Sequence, residues 1–197
     1  MDRATASRIR RAAKGDVGKL DVDTWTDAAL AHLGEHGIDG VRVELLAKRL
    51  NVTKGSFYWH FKDRDALLEQ MLERWRRRAT LILIQRLDSD VASPADRLRQ
   101  LLRLPLKGET AMLAAAVELA IRLWGRSDER ARKALEEIDE LRLQYIARLF
   151  VQAGTPEQAA RAHAILAYSY QRVAATLVPR NAATLMQQCE DLIIGKI

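Results

Sequence analysis

The 197-residue sequence holds one cysteine, Cys189, and only four histidines, His32, His36, His60 and His163. A lone cysteine closes no internal disulfide, and no Cys/His group stands at zinc-finger spacing. Disulfide scaffolds and structural zinc sites are therefore excluded, and no metal is expected. Long apolar runs are missing as well. The longest, residues 79–84 broken by Thr80 and residues 111–117 closed by Glu118, fall far short of the roughly 18 residues that cross a bilayer. The basic residues near the start (Arg3, Arg8, Arg10, Arg11, Lys14, Lys19) are followed by no apolar stretch, so they do not read as a secretory signal. A cytoplasmic, nucleoid-associated protein with no membrane contact is expected. The chain also lacks a glycine-rich phosphate loop, a His-Glu-x-x-His and a Gly-x-Ser-x-Gly. An isolated acid or histidine without a partner does not make a catalyst. Neither an enzyme nor a bound cofactor is expected.

What is present is globular: hydrophobic residues make up 48% and charged residues 29%. One unit of this length buries about 70% of its unfolded surface. The formal net charge is +6. Residues 1–78 carry 16 basic and 12 acidic groups, a balance of +4, which leaves 16 and 14, or +2, for the remainder. That bias toward the N-terminal part suits a phosphate backbone or an anionic lipid.

Apolar residues recur at spacings of three and four, and no run alternates with period two long enough for a strand. The pattern predicts an all-α fold of about nine helices: three short ones, a connector, then five longer ones. Asp23 is placed to open the first, which Gly37 stops. Val43, Leu46, Ala47 and Leu50 mark the second. Thr53 is placed to cap a third, ending near Lys62, and Asp63 a fourth, reaching about Leu87. Ser93-Pro94, Ser127-Asp128-Glu129 and the capping box Thr155-Pro156-Glu157-Gln158 start later helices, and Asn181 the last.

Residues 43–62 have the layout of a helix-turn-helix, with its turn at Asn51-Val52. Helices this short are not stable alone and must pack on the first as a three-helix unit. At about 100° per residue, turning Phe57 and Phe61 inward aims Gly55 and Trp59 outward, with Ser56, Tyr58 and His60 on the flanks. This face carries no carboxylate between Thr53 and Lys62. It suits a groove: Gly55 admits a close backbone, Lys54 reaches a base edge or phosphate, and Trp59 packs on thymine methyls or sugar. The alternative is that Tyr58 and Trp59 pack on a neighbouring domain.

The run Gly37-Ile38-Asp39-Gly40-Val41, followed by residues 45–68 with their Phe57-Tyr58-Trp59-His60-Phe61-Lys62 helix and capped Ala66-Leu67-Leu68, resembles the DNA-binding signature of the TetR (tetracycline-repressor-like) family of bacterial transcription regulators. The likeness covers roughly residues 23–72. It implies a helical homodimer with an N-terminal DNA-reading head at 23–62, a ligand-binding and dimerisation domain at 63–197, and a basic extension at 1–22. It also implies repression relieved by a small-molecule effector on a palindromic duplex operator. The alternative is a ligand-binding helical adaptor, or an activator without ligand-relieved repression. Carried over by position, base reading falls on Thr53, Lys54 and Gly55. Phosphate contact falls on Ser56, Tyr58, His60, Lys62 and Arg64. Arg42 stands where the family commonly has Ser or Thr, so the second helix loses a hydroxyl cap that Arg42 replaces only by charge. Arg8, Arg10 and Arg11 read equally as a minor-groove arm or as a solubilising tail.

In the C-terminal half, the helix after Pro156 is apolar almost all round, so more than one side must be buried. A symmetric partner on one face explains this, with Ala162, Ile165, Leu166, Ser169, Tyr170 and Val173, joined by Leu185 and Cys189 of the last helix, at the interface. Burial within a single chain is the alternative. Family analogy places the effector pocket between Asp63 and about Ala153, with Met112, Glu118, Arg122, Trp124, Arg142 and Tyr145 as candidates. Glu118 and Arg122 read equally as a surface pair four residues apart. His163 reads as a satisfied core histidine, and Glu136, Glu137, Asp139 and Glu140 as a solvated face. The connector helix is the natural lever between pocket and head.

Overall fold

The structure, a computed structural model, describes residues 20–87, 93–103, 108–177 and 182–195. Those residues form nine α-helices and no strand: α1 (Val22–His36), α2 (Val43–Leu50), α3 (Lys54–Tyr58), α4 (Arg64–Leu87), α5 (Pro94–Arg103), α6 (Gly108–Trp124), α7 (Glu129–Gln152), α8 (Glu157–Leu177) and α9 (Ala183–Ile194), with a 3₁₀ turn at Ile38–Gly40. No helix is long and apolar enough to cross a membrane among the described residues. The chain divides into two compact units. One takes the residues up to Ala79 together with Ala116–Leu135, and the other takes Thr80–Ala115 with Glu136–Ile197.

In the first unit, α1 packs on α2 and α2 on α3. The cap of α1 is Asp21, which accepts from the Thr24 backbone N–H at 2.7 Å and from the Thr24 hydroxyl at 2.6 Å. Asp23, expected to open the helix, lies inside its first turn and instead accepts from Arg74 of α4 at 2.7 Å. Asp21, two residues earlier, takes the cap, and Arg74 claims Asp23. Thr53 does precede α3, but its side chain makes no cap bond. Asp63 caps α4 through the Ala66 N–H at 2.9 Å, as expected. The turn after α2 runs through Asn51 in the left-handed conformation (φ 56°), which asparagine tolerates better than most residues. Gly34 is a close-approach glycine of the unit. A Cβ on it would lie 3.1 Å from Val117 Cγ2 and 3.2 Å from the Val117 nitrogen, so α1 and α6 meet nearly backbone to backbone there.

Asp128 caps α7, accepting from the Arg130 N–H at 2.8 Å while the Arg130 guanidinium bonds both its oxygens. The Arg130 side-chain bond is the main cause that holds the Asp128 carboxyl down at about 2. Its folded pKa lies below the unfolded value, so the stabilisation is complete above about pH 4 and is lost as pH falls through about 2. Asp128→Ala is expected to cost about 1 kcal/mol at neutral pH. In urea unfolding the gap from wild type should close between about pH 4 and 2. A gap indifferent to pH would refute the charge-assisted cap.

In the second unit α5 packs on α8 and α9, and α8 on α9. Leu98, Leu101 and Leu102 of α5 meet Ile146, Leu149 and Phe150 of α7, Ala164 and Ala167 of α8, and Ile194 of α9 in one core. Gln171, buried on α8, donates to the Leu101 carbonyl at 3.0 Å, so its polar group is matched where no water reaches. His163 is the satisfied histidine that its apolar helix suggested, its Nδ1 3.2 Å from the Ile193 carbonyl and its ring 5.1 Å from Phe150. Asn181, expected to cap α9, lies outside the described residues, and Ala182 at the cap position makes no side-chain bond.

Candidate nucleic-acid interface

Three buried rings decide where α3 points. Phe57 is fully buried, edge-on to Trp25 of α1 at 5.4 Å and stacked on Phe61 at 5.1 Å. With Phe57 and Phe61 inward, the intervening residues turn out: Tyr58 is 61% exposed and Trp59 86%. Helix α3 is shorter than expected and closes at Tyr58 instead of near Lys62. The helical spiral still continues for one turn, because His60 N–H and Phe61 N–H both donate to the Phe57 carbonyl, at 2.9 and 3.0 Å. That tightened end leaves residues 62–63 free to bend into the Asp63 cap of α4.

The surface thus built holds Arg42, Thr53, Lys54, Gly55, Tyr58, Trp59 and Lys62 exposed, and Ser56, His60 and Arg64 half-buried. A Cβ added at Gly55 would meet only the Thr53 hydroxyl, at 3.6 Å, so the backbone there is open to an approaching surface. Arg42 precedes α2 without capping it, as its lack of a hydroxyl implied. Arg64 is turned toward the protein: its Nε donates to the Val41 carbonyl at 2.6 Å and its Nη2 to Ile38 at 3.0 Å. These bonds tie the start of α4 to the turn that leads into α2.

One feature of the face was invisible in its own segment. No carboxylate lies between Thr53 and Lys62, yet Glu44 of α2 reaches Lys54 Nζ at 2.6 Å. The Lys54 bond is the main cause that lowers the Glu44 pKa. Both groups are more than half exposed, so water screens the pair and it yields readily to a phosphate. The only sequence signal for it was Glu44 at the start of an amphipathic helix, which says nothing about the next helix.

The candidate effector residues fall in different places. In the first unit Trp124 and Glu118 are buried, and Arg122 donates to Glu118 at 3.1 Å. The alternative of a surface pair therefore holds for the contact itself, but the acidic side is largely internal. In the second unit Met112 is exposed, Tyr145 is buried, and Arg142 donates to the Tyr168 hydroxyl at 2.8 Å while that hydroxyl donates to Asp139 at 2.6 Å. Asp139 therefore anchors a polar chain and does not belong to a merely solvated face. Glu140 beside it does face water, held near a pKa of about 2 chiefly by the Arg161 side chain.

A short helix set across two others, with its apolar side buried and an aromatic and basic side exposed, defines an all-α helix-turn-helix protein. Residues 26–71 match the family model "Bacterial regulatory proteins, tetR family". Over 55 residues the chain is 44% identical to the tetracycline repressor protein class A from transposon 1721 of Escherichia coli, covering 28% of this chain and 26% of that repressor. The matched segment thus spans about a quarter of the length of such curated relatives. The whole fold is similar to a transcriptional regulator from Rhodococcus sp. Rha1 (TM-score 0.69, 20% identity, 89% of this chain and 95% of that one). It is also similar to AibR, solved in complex with isovaleryl coenzyme A and operator DNA (TM-score 0.61, 16% identity, 88% and 96%). Residues 26–71 are thus a TetR-family segment by sequence, and the helices of the chain are similar in fold to these regulators.

Proposed function

We propose that the protein is a homodimeric transcription regulator, a repressor that leaves a palindromic operator when a small molecule binds. The observation that carries this reading is the exposure of Tyr58 and Trp59 on a helix whose other side is locked by Phe57. Thr53, Lys54 and Gly55 read base edges. Ser56, Tyr58, His60 and Lys62, with Arg42, hold phosphates, and Trp59 packs against sugar or thymine methyl. Arg64 adds a phosphate contact only through donors left over from its two carbonyl bonds. This assigns DNA binding to residues 23–62, ligand and partner binding to residues 63–197, and an accessory role to the extension 1–22. The extension's Arg8, Arg10 and Arg11 lie outside the described residues.

Two heads require two chains, and the apolar surface of α8 and α9 is the place for the second. Ala162, Ile165, Leu166, Ser169 and Val173 on α8 and Leu185 on α9 are exposed, with Tyr170 and Cys189 half-covered beside them. So contiguous an apolar surface on a charged protein marks an interface, and two such helices per subunit build a four-helix contact about a two-fold axis. The axis sets the heads on successive major grooves, about 34–36 Å apart. The effector residues Met112, Glu118, Arg122, Trp124, Arg142 and Tyr145 remain candidates. An effector releases DNA only by binding one head spacing better than the other. The AibR complex, which holds an acyl coenzyme A and operator DNA, supports this pairing of functions.

Footprinting on the DNA flanking the gene, across a salt series, tests the reading. The expected result is a palindromic, salt-steep footprint. Tyr58→Ala and Lys54→Ala should each weaken it about tenfold, with unfolding midpoints unchanged. Uniform binding that neither change affects would overturn it.

A further inference from the structure

One cluster on the head lies away from the groove-facing residues. His32, Glu35 and His36 stand at positions i, i+3 and i+4 of α1, and so share one helix face. Each offers a ligand atom, and these atoms lie within 4.8 Å of one another. Counting cysteines and histidines alone missed the group, because its third donor is a carboxylate. Glu35 Oε2 and His36 Nε2 are 3.6 Å apart, against the separation of about 3.3 Å that two donors take around a tetrahedral zinc ion. Glu35 and His36 are exposed and can turn to close the rest.

Three features mark this place as suited to a cation. A cation already sits there: Arg49 Nη1 from α2 lies 2.5 Å from Glu35 Oε2 and 3.4 Å from His32 Nδ1. The cluster occupies the last turn of α1, the negative end of the helix dipole. And His32, more than nine-tenths buried, spends neither ring nitrogen on a normal hydrogen bond. Its Nδ1 has only the long Arg49 contact, and its Nε2 is buried against the Gly40 backbone without a well-formed hydrogen bond.

We propose that His32, Glu35 and His36 bind a divalent transition metal of the zinc class, which replaces the Arg49 guanidinium on Glu35. Two imidazoles and one carboxylate suit zinc, nickel or cobalt rather than magnesium or calcium, and water from the exposed side completes the coordination. Arg49, bound to Glu35 through both Nη1 and Nη2, links the scaffold helix α2 to α1. The metal therefore exchanges a tether between two helices of the head for a site held by α1 alone. Gly40 keeps the 3₁₀ turn pressed on this site, since a Cβ on it would lie 2.6 Å from His36 Cβ.

The test is calorimetric titration of chelator-stripped, untagged full-length protein with Zn²⁺, repeated with Co²⁺ by visible absorption. Calorimetry detects the site whether or not the head reads DNA. The expected result is one ion per chain, with affinity lowered at least tenfold in His36→Ala and in Glu35→Gln, both surface changes that leave the fold intact. Removing the resident cation in Arg49→Met should raise affinity several-fold. A purely structural Arg49–Glu35 pair would not produce that gain. No saturable uptake, uptake unaltered by His36→Ala and Glu35→Gln, or a weaker site in Arg49→Met would overturn the proposal.

Discussion

Phe57→Ala is expected to destabilise the head by about 3–5 kcal/mol, the usual cost of emptying a buried phenylalanine site. The ring is fully buried and in contact with Trp25, Tyr58 and Phe61. Helix α3 is only five residues long, too short to hold itself together by backbone bonding. Its position depends on this one side chain, and its neighbours are themselves rings that cannot collapse into the space. Urea unfolding read by the fluorescence of Trp25 and by circular dichroism measures the loss. Trp59→Ala, two residues away and in the same aromatic class, is the control. Its side chain is 86% exposed, so stability should stay within about 0.5 kcal/mol while operator binding falls. If the two changes destabilise equally, the assignment of inward and outward faces is wrong.

Arg103→Ala is the second large effect, in the other unit. Glu190 of α9 is 1% exposed, and Arg103 of α5 donates to both its oxygens at 2.6 Å. Removing the arginine leaves a carboxylate in an apolar core with no counter-charge, which costs about 3–5 kcal/mol in fully buried pairs. Arg103 itself is 41% exposed, so water reaches one side of the pair and a loss near the lower limit, about 3 kcal/mol, is expected. The double change Arg103→Ala/Glu190→Leu should recover most of it, because an apolar side chain then fills the place of a stranded charge. Denaturant midpoints of the two variants decide the matter. A double variant no more stable than Arg103→Ala would show that the arginine acts through packing rather than charge.

Much of the architecture was legible from short-range chemistry. The stripes at three and four residues located the helices, and Asp63, Asp128 and Gly37 set boundaries where caps and stops are local events. With Phe57 and Phe61 placed inward, the outward direction of Trp59 followed from 100° per residue. Local signals failed where two residues competed for one role. The capping signal at Asp23 misleads, because Asp21 caps α1 while Asp23 binds Arg74, 51 residues away. The end of α3 was misplaced because the apolar pattern runs on through Phe61, although the backbone tightens there to reach the next cap.

The sequence by itself determined the class of fold, the family of the head, and the side chains that the head presents. The fold class and the outward side chains depend on periodicity, because a helix repeats its own geometry, while the family of the head rests on the resemblance across residues 23–72. Only the tertiary structure decided the charge pairs. Glu44 with Lys54, Glu35 with Arg49, Asp27 with Arg74 and Arg78, and Glu190 with Arg103 join different helices. A charged residue looks the same in the sequence whether it faces water or a partner. Which of the two it meets depends on how helices pack, and packing is set by buried shape rather than by the order of charges along the chain.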